Sequence, residues 1–141
     1  MLSGIHNIHF IGIGGAGMSA LAHVLCERGF HVSGSDKNAG GICEKLKALG
    51  AVVYQGHASG QVQGADAVVI SSAIHADNCE LVAAKEQGIK VMHRSDVLAE
   101  LLNHADGVAV AGAHGKTTTS AMLSCIAAQG GIDPTIVIGG E

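Results

Sequence analysis

The sequence is poor in the residues that mark nucleic-acid-binding and membrane proteins. Only 2% of its 141 residues are aromatic, 14% are charged, and tryptophan is absent. The 8 lysines and arginines are scattered and the formal net charge is −4, so there is no basic stripe to follow a phosphate backbone. No apolar run approaches the roughly 20 residues that a membrane-spanning helix needs. We therefore expect neither nucleic acid nor a membrane as a partner.

The cysteines and histidines lack the spacings of metal sites. The 4 cysteines stand far apart with no C-x-x-C pair, and the 9 histidines include no H-E-x-x-H pattern. No basic segment followed by an apolar run opens the sequence, as a secretory leader would. Free thiols are typical of the reducing cytosol. These features together predict a cytoplasmic protein in which most histidines lie at the surface or in a satisfied core.

Glycine and aliphatic residues are abundant instead, with 21 glycines and 48% hydrophobic residues. Short β-branched runs alternate with helical patterns, which predicts an α/β fold: a Rossmann-like, doubly wound, mostly parallel sheet. The predicted strands are 8–13, 31–35, 52–54, 67–71, 90–92 and 108–111. The predicted helices are 15–28, 42–49, 78–87, 96–103 and 116–129.

Several local features refine this prediction. Residues 67–70 are continuously apolar, which predicts an interior strand buried on both faces. The glycine-rich stretch 55–66 is predicted to be a loop. Met18 is expected in the core, and Glu80 and Glu100 are expected on solvated helix faces.

A polar connection at 103–107 predicts a boundary between a domain at 1–105 and the start of a second domain at 106–141.

A first glycine motif, G-I-G-G-A-G at 12–17, lies between the first predicted strand and helix. Glycine permits the tight turn and close backbone approach to a diphosphate, and the helix start offers free amides. Asp36 stands 19 residues after Gly17, at the end of the second strand, where a carboxylate can bind a ribose hydroxyl. The pattern predicts a nucleotide diphosphate site, and its alternative is a turn that only packs tightly.

A second motif, G-A-H-G-K-T at 112–117, again lies between a predicted strand and helix. It is a shortened P-loop, since the full pattern needs glycine where Val110 stands. Backbone amides would surround the β-phosphate, Lys116 would reach the β and γ oxygens, and the Thr117 hydroxyl would bind magnesium. The alternative is an ordinary helix start with threonines as incidental capping residues.

Both loops in one chain restrict the possible functions. A dehydrogenase needs only the first loop and a simple ATPase only the second. An enzyme that spends ATP on a nucleotide-linked substrate needs both. An NAD-dependent oxidoreductase domain and an inert UDP-sugar-binding module remain as alternatives.

Four segments, in their order and spacing, resemble the Mur ligase family: residues 8–19, 33–36, 71–74 and 109–119. The similarity covers essentially the whole chain and is strongest to members that act on UDP-N-acetylmuramate and L-alanine. It implies a three-domain ligase with ATP and Mg²⁺ as cofactors. Such an enzyme phosphorylates the muramoyl carboxylate to an acyl phosphate, which the amine of L-alanine attacks during peptidoglycan precursor synthesis. A family member that recycles murein tripeptide differs in the first loop and ranks second.

The resemblance also implies site residues. Those implied for the UDP substrate are Gly14, Gly15, Ala16, Gly17, Asp36, His57, Ser71 and Ser72. Those implied for ATP are Gly112, Ala113, His114, Gly115, Lys116, Thr117 and Thr118. Lys116 is the implied catalytic residue and Thr117 the implied magnesium ligand.

The sequence departs from the family at two positions and ends soon after the second motif. Ala113 replaces a usual threonine, and Cys79 replaces a usual proline after Asn78. Glu141 stands 24 residues after Thr117, so we expect only the start of the ATP-binding domain and no ligase activity from this polypeptide alone. A last strand is predicted at 136–138.

Overall fold

The computed structural model describes residues 2–38 and 40–138. Its strands are β1 Asn7–Ile11, β2 His31–Asp36, β3 Val52–Gln55, β4 Ala67–Ile70 and β5 Lys90–His93. Its α-helices are α1 Ala16–Glu27, α2 Gly41–Ala48, α3 Cys79–Glu86, α4 Arg94–Asn103 and α5 Lys116–Gln129. A short 3₁₀ helix, Ser59–Val62, lies in the stretch predicted to be a loop.

Within the described residues the strands form one parallel sheet in the order β3-β2-β1-β4-β5. The chain winds outward from β1 to β3, then returns to place β4 on the other side of β1. This reversal is the switch point of a doubly wound sheet, where ligands bind beyond the carboxyl ends of the strands. The predicted Rossmann-like fold is therefore confirmed, with β4 in the interior of the sheet.

Helices cover both faces of the sheet because strand side chains alternate between them. Ile8 and Phe10 of β1 point to one face, where α1, α2 and α4 close the larger core. Ile11 and Val68 point to the other face, where they pack against Leu81 of α3. Met18 is buried in the larger core, as predicted.

Side-chain caps fix the starts of two helices. The Asn78 side chain accepts hydrogen bonds from the backbone of Glu80 and Leu81, so α3 begins at Cys79 without the family's usual proline. His93 and Asp96 form a reciprocal capping box at the start of α4. Both caps lie near the carboxyl edge of the sheet, where the switch point forms a crevice. Each cap therefore fixes the first turn of a helix beside this crevice.

Two predicted strands are wrong. Residues 108–111 have no regular structure, and Val108 is 76% exposed. Residues 136–138 are also irregular, although Val137 packs against the larger core. A strand needs a neighbour to complete its hydrogen bonds, and an apolar β-branched run alone does not supply one. None of the helices in the described part of the chain is long and apolar enough to cross a lipid bilayer.

Candidate functional site

The first glycine loop is seated on the end of β2. The amides of Gly12 and Ile13 both donate to the carbonyl of Ser35, at 2.8 and 3.0 Å. The amide of Gly14 donates to Oδ2 of Asp36 at 2.8 Å. The structure thus brings the loop and the predicted ribose-binding carboxylate together, and their contact is a charge-assisted hydrogen bond.

A side chain on either of two glycines of this loop would displace a neighbouring polar side chain. A Cβ on Gly14 would lie 2.8 Å from Oδ2 of Asp36, and one on Gly17 would overlap the guanidinium of Arg94. A Cβ on Gly15 would make only an ordinary contact with the carbonyl of Gly12. Gly15 and Ala16 are exposed at the start of α1, and the first amides of this helix have no partner within it. The helix start can therefore receive an anion, whereas the amides of Gly12 to Gly15 already donate within the protein.

Arg94 is a candidate that the sequence analysis missed. It is the first residue of α4, directly after β5, and it is exposed. Its guanidinium lies against Gly17, beside the first turn of α1. A basic residue directly after a parallel strand was the available signal, because such positions collect at the carboxyl edge of the sheet. The charge suits an anion held by the loop.

Ser71 and Ser72 follow β4 at the switch point. The amide of Ile74 donates to the carbonyl of Ser71 at 3.1 Å and closes a turn. The end of the Ile74 side chain would lie 3.3 Å from a Cβ placed on Gly12, so this turn packs against the first loop. Both serines therefore lie at the edge that carries the glycine loop.

His57 follows β3 and is tied to the same edge. The amide of Gly56 donates to the carbonyl of Asp36 at 2.8 Å, which places His57 beside the end of β2. Its Nδ1 lies 2.9 Å from Oγ of Ser35 and 2.7 Å from Oε2 of Glu80. The His57 side chain is 16% exposed, so the ring is mostly buried but still reaches solvent.

The predicted solvated position of Glu80 is wrong, because its side chain is fully buried. Oε1 lies 3.0 Å from Nε2 of the buried His9, and Oε2 accepts from the Ser35 hydroxyl. Burial alone would raise the pKa of the Glu80 carboxyl, but hydrogen bonds from His9, Ser35 and His57 outweigh burial and lower that pKa. Glu80 is thus an ionised group inside the sheet-helix layer. No pattern around it in the sequence distinguishes it from a surface acid.

Glu100 is not on a freely solvated face either. It is half-buried on α4, and its Oε1 accepts from the amide of Leu2 at 3.2 Å. Its Oε1 also lies 3.9 Å from Nδ1 of His104, just beyond the end of the same helix.

The second glycine loop is exposed and is defined by local contacts. Gly115 has a φ of +79° and caps α5, a left-handed conformation that favours glycine. Nζ of Lys116 donates to the carbonyl of Gly112 at 2.7 Å and closes the loop on itself. Ala113 and His114 are exposed within the loop, and Thr117 and Thr118 are exposed in the first turn of α5. The structure therefore gathers the predicted ATP-binding residues around one helix start.

Comparison with known proteins agrees with this geometry. Residues 7–106 match the Mur ligase family, catalytic domain. A UDP-N-acetylmuramate–L-alanine ligase from Nitrosomonas europaea is 52% identical over 97% of this chain, and one from Geotalea daltonii is 53% identical over 100% of it. The chain spans only 29% and 31% of the lengths of these relatives.

Solved structures show the same relationship. A UDP-N-acetylmuramate:L-alanyl-gamma-D-glutamyl-meso-diaminopimelate ligase from Neisseria meningitides superimposes with a TM-score of 0.87 at 37% identity, over 97% of this chain and 44% of that one. A UDP-N-acetylmuramate-alanine ligase from Thermotoga maritima gives a TM-score of 0.81 at 32% identity, over 86% of this chain and 29% of that one. With the family match covering most of its length, the chain belongs to the Mur ligase family.

Proposed function

We propose that this chain supplies the UDP-N-acetylmuramate-binding domain and the ATP-binding loop of a cytoplasmic ligase that joins L-alanine to UDP-N-acetylmuramate. The observation that carries this proposal is the presence of two phosphate-type loops, each at a helix start, in one member of the Mur ligase family. An NAD-dependent oxidoreductase has no use for the Gly-Lys-Thr segment at 115–117. We propose the division into 1–105 and 106–141 on the same basis.

The first loop would hold the UDP diphosphate. Amides in the first turn of α1 would donate to its oxygens, and Arg94 adds a positive charge beside Gly17. Asp36 would accept from the ribose, and His57 would lie near the ribose or uracil. Ser71 and Ser72 would add hydroxyl donors at the switch point. Each role uses a group that the fold already places at the carboxyl edge of the sheet.

The second loop would hold ATP. Its exposed amides and Lys116 suit a β-phosphate and γ-phosphate, since Nζ needs only to exchange the Gly112 carbonyl for phosphate oxygens. The exposed Thr117 hydroxyl is an oxygen ligand of the kind that magnesium prefers, so the residues present fit this ion. Bound Mg²⁺ would neutralise charge on the phosphate oxygens.

The proposed reaction needs both loops at once and proceeds in two steps. The muramoyl carboxylate oxygen attacks the γ-phosphorus of ATP, the bond to the bridging oxygen breaks, and ADP leaves with an acyl phosphate formed. Lys116 stabilises negative charge during this transfer. The amine of L-alanine then attacks the acyl carbon, inorganic phosphate leaves, and the nitrogen gives up a proton as the amide forms.

Calorimetric titration with UDP-N-acetylmuramate tests the substrate assignment, with UDP and NAD as reference ligands. We expect the muramate nucleotide and UDP to bind and NAD not to bind. Gly15→Val should abolish binding, because a branched side chain would cover the open amides at the start of α1. Gly60→Val is the matched control, since a Cβ on Gly60 meets open space away from the loop. Binding of NAD in preference to UDP would overturn the proposal.

A further inference from the structure

A cluster of four polar side chains connects the sheet interior to the edge of the crevice. This Glu80 cluster consists of Glu80 in the first turn of α3, His9 on β1, Ser35 on β2 and His57 after β3. Glu80, His9 and Ser35 are buried, and only His57 reaches solvent. An ionised carboxylate without adequate partners is costly to bury, so each contact in the cluster matters for the free energy of folding.

The hydrogens of the cluster can be assigned from its geometry. An ionised Glu80 carboxylate only accepts hydrogen bonds, so the Nε2 atom of His9 must carry a hydrogen. Nδ1 of His9 then accepts from the hydroxyl of Ser33 at 2.8 Å. The single hydroxyl hydrogen of Ser35 goes to Oε2 of Glu80.

This assignment fixes the tautomer of His57. Its Nδ1 faces Oε2 of Glu80 and an Oγ of Ser35 whose hydrogen is already used, so Nδ1 meets acceptors only. Nδ1 must therefore carry a hydrogen. In the neutral ring Nε2 then has a lone pair on the side away from the cluster. Among the described residues Gln61 Oε1 is the only side-chain nitrogen or oxygen that is buried without a partner, so Nε2 of His57 is open to solvent.

We infer that Glu80 is a positioning residue for nucleotide recognition: it holds His57 in the Nδ1–H tautomer, so that Nε2 offers the crevice a hydrogen-bond acceptor. This inference rests on the proposed function for its ligand, a nucleotide with an N–H or O–H donor. Uracil supplies an imide N–H and ribose supplies hydroxyls, and both present the same donor chemistry to Nε2.

Ser35 links this cluster to the phosphate loop. Its side chain donates to Glu80, while its backbone carbonyl accepts from Gly12 and Ile13 at the start of the loop. One residue of β2 thus bonds to both the anion-binding loop and the carboxylate that orients His57. The cluster and the loop form one rigid edge, which suits simultaneous recognition of a nucleoside and its diphosphate.

The tautomer can be measured without any ligand, by two-bond ¹H–¹⁵N correlation spectra of the labelled chain at a pH where His57 is neutral. We expect a protonated Nδ1 and an unprotonated Nε2. In Glu80→Gln only the amide oxygen can accept a hydrogen bond, so one of the two histidines loses its acceptor. We expect this to be the more exposed His57, whose ring hydrogen should then move from Nδ1 to Nε2. A His57 that is Nε2–H in the wild-type chain would overturn the inference, whether or not any nucleotide binds.

Binding measurements test whether Glu80 contributes to nucleotide recognition through His57. Glu80→Gln should weaken UDP binding roughly tenfold, as expected for one lost hydrogen bond. In a His57→Ala background the same change should have no further effect, because Glu80 acts through His57. Glu86→Gln, on the exposed part of the same helix, is the matched control. Equal losses from Glu80→Gln in both backgrounds would show a merely structural role and overturn the inference.

Two analogues identify the donor. UDP methylated at N3 of uracil lacks the imide hydrogen, and 2′,3′-dideoxy-UDP lacks both ribose hydroxyls. The analogue that lacks the donor to Nε2 should bind wild-type chain and His57→Ala equally well, and retention of the His57 effect by both analogues would count against the inference. A wild-type chain that bound no UDP would refute the proposed function, while the tautomer measurement would still decide the role of Glu80.

Discussion

The two glycine loops differ in what holds them. The first loop is bonded to Ser35 and Asp36 of the neighbouring strand, and a Cβ on Gly14 or Gly17 would displace the side chain of Asp36 or Arg94. The second loop is held by its own Lys116–Gly112 hydrogen bond and by the left-handed turn at Gly115. The first geometry is therefore a property of the whole sheet, whereas the second is a property of a short segment.

The helices behind the loops show the same contrast. Helix α1 buries apolar residues such as Leu21 and Leu25 in the larger core. Helix α5 has no buried residue, and Met122 and Ile126 are more than 60% exposed. No residue within 102–138 is buried. An exposed apolar face of this kind is typical of a surface that packs against another element, so the second loop has less support from the described fold than the first.

The largest effect should come from breaking the support of the first loop. A Cβ on Gly34 would lie 2.6 to 2.7 Å from Ile13 side-chain atoms and 2.7 Å from the carbonyl of Phe10. Gly34→Ala should therefore lower the free energy of unfolding by about 1–3 kcal/mol, because overpacking forces the backbone of β1 and β2 apart. Urea denaturation followed by circular dichroism measures this change. Gly60→Ala should stay near wild type, and an equal effect from both variants would contradict the packing account.

A smaller effect on stability and a clear effect on binding are expected from Gly14→Ala. The new methyl group must displace the Asp36 carboxylate, which breaks its 2.8 Å bond to the Gly14 amide. Because Asp36 is proposed to accept from the ribose, moving its carboxylate should also remove one charge-assisted hydrogen bond to the ligand, which corresponds to a roughly tenfold or greater weakening of UDP binding. Calorimetry on this variant and on Gly15→Ala provides the comparison, since a Cβ on Gly15 makes only an ordinary contact. Unchanged UDP affinity in Gly14→Ala would show that Asp36 does not contact the ligand.

The contrast between the two regions also explains what could be read from the sequence. The strands β1 to β5 and their helices were predicted because their apolar runs and glycine stops are local signals. Residues 108–111 carry the same β-branched signal, yet strand formation depends on a pairing partner that the run itself does not reveal. The motif order placed both loops correctly at helix starts.

The Glu80 cluster could not be predicted, because its contacts join residues far apart in the sequence. Glu80 meets His9 across 71 positions and Ser35 across 45. Its own helix, C-E-L-V-A-A-K-E, gives no clear polar face, so an acid in its first turn looked like an ordinary helix start. Arg94 was missed although it directly follows a predicted strand, because its contact with Gly17 joins residues far apart in the sequence.

The stability of the sheet should depend on pH through Asp66, which lies directly before β4. Hydrogen bonds from the amides of Asn7 and His6, both 2.8 Å from Oδ2, lower the pKa of Asp66. A depressed pKa in the folded state means that Asp66 contributes stability above its unfolded pKa, and that this contribution is lost as the pH falls toward the folded pKa. Asp66→Asn should therefore flatten the acid side of the stability profile, below about pH 4, measured by urea denaturation. A profile parallel to that of wild type would contradict this assignment.

The smallest effect on stability is expected from Lys116→Ala. Lys116 is exposed and its hydrogen bond to Gly112 is local, so the free energy of unfolding should change by less than about 0.5 kcal/mol. Any MgATP affinity of the chain should fall sharply, while Lys85→Ala, an exposed lysine on α3, should change neither quantity. A loss of stability in Lys116→Ala comparable to that of Gly34→Ala would show that the second loop is coupled to the sheet after all. In that case α5 would already be supported by the core, and the distinction between a loop held by the fold and a loop held by its own segment would no longer apply.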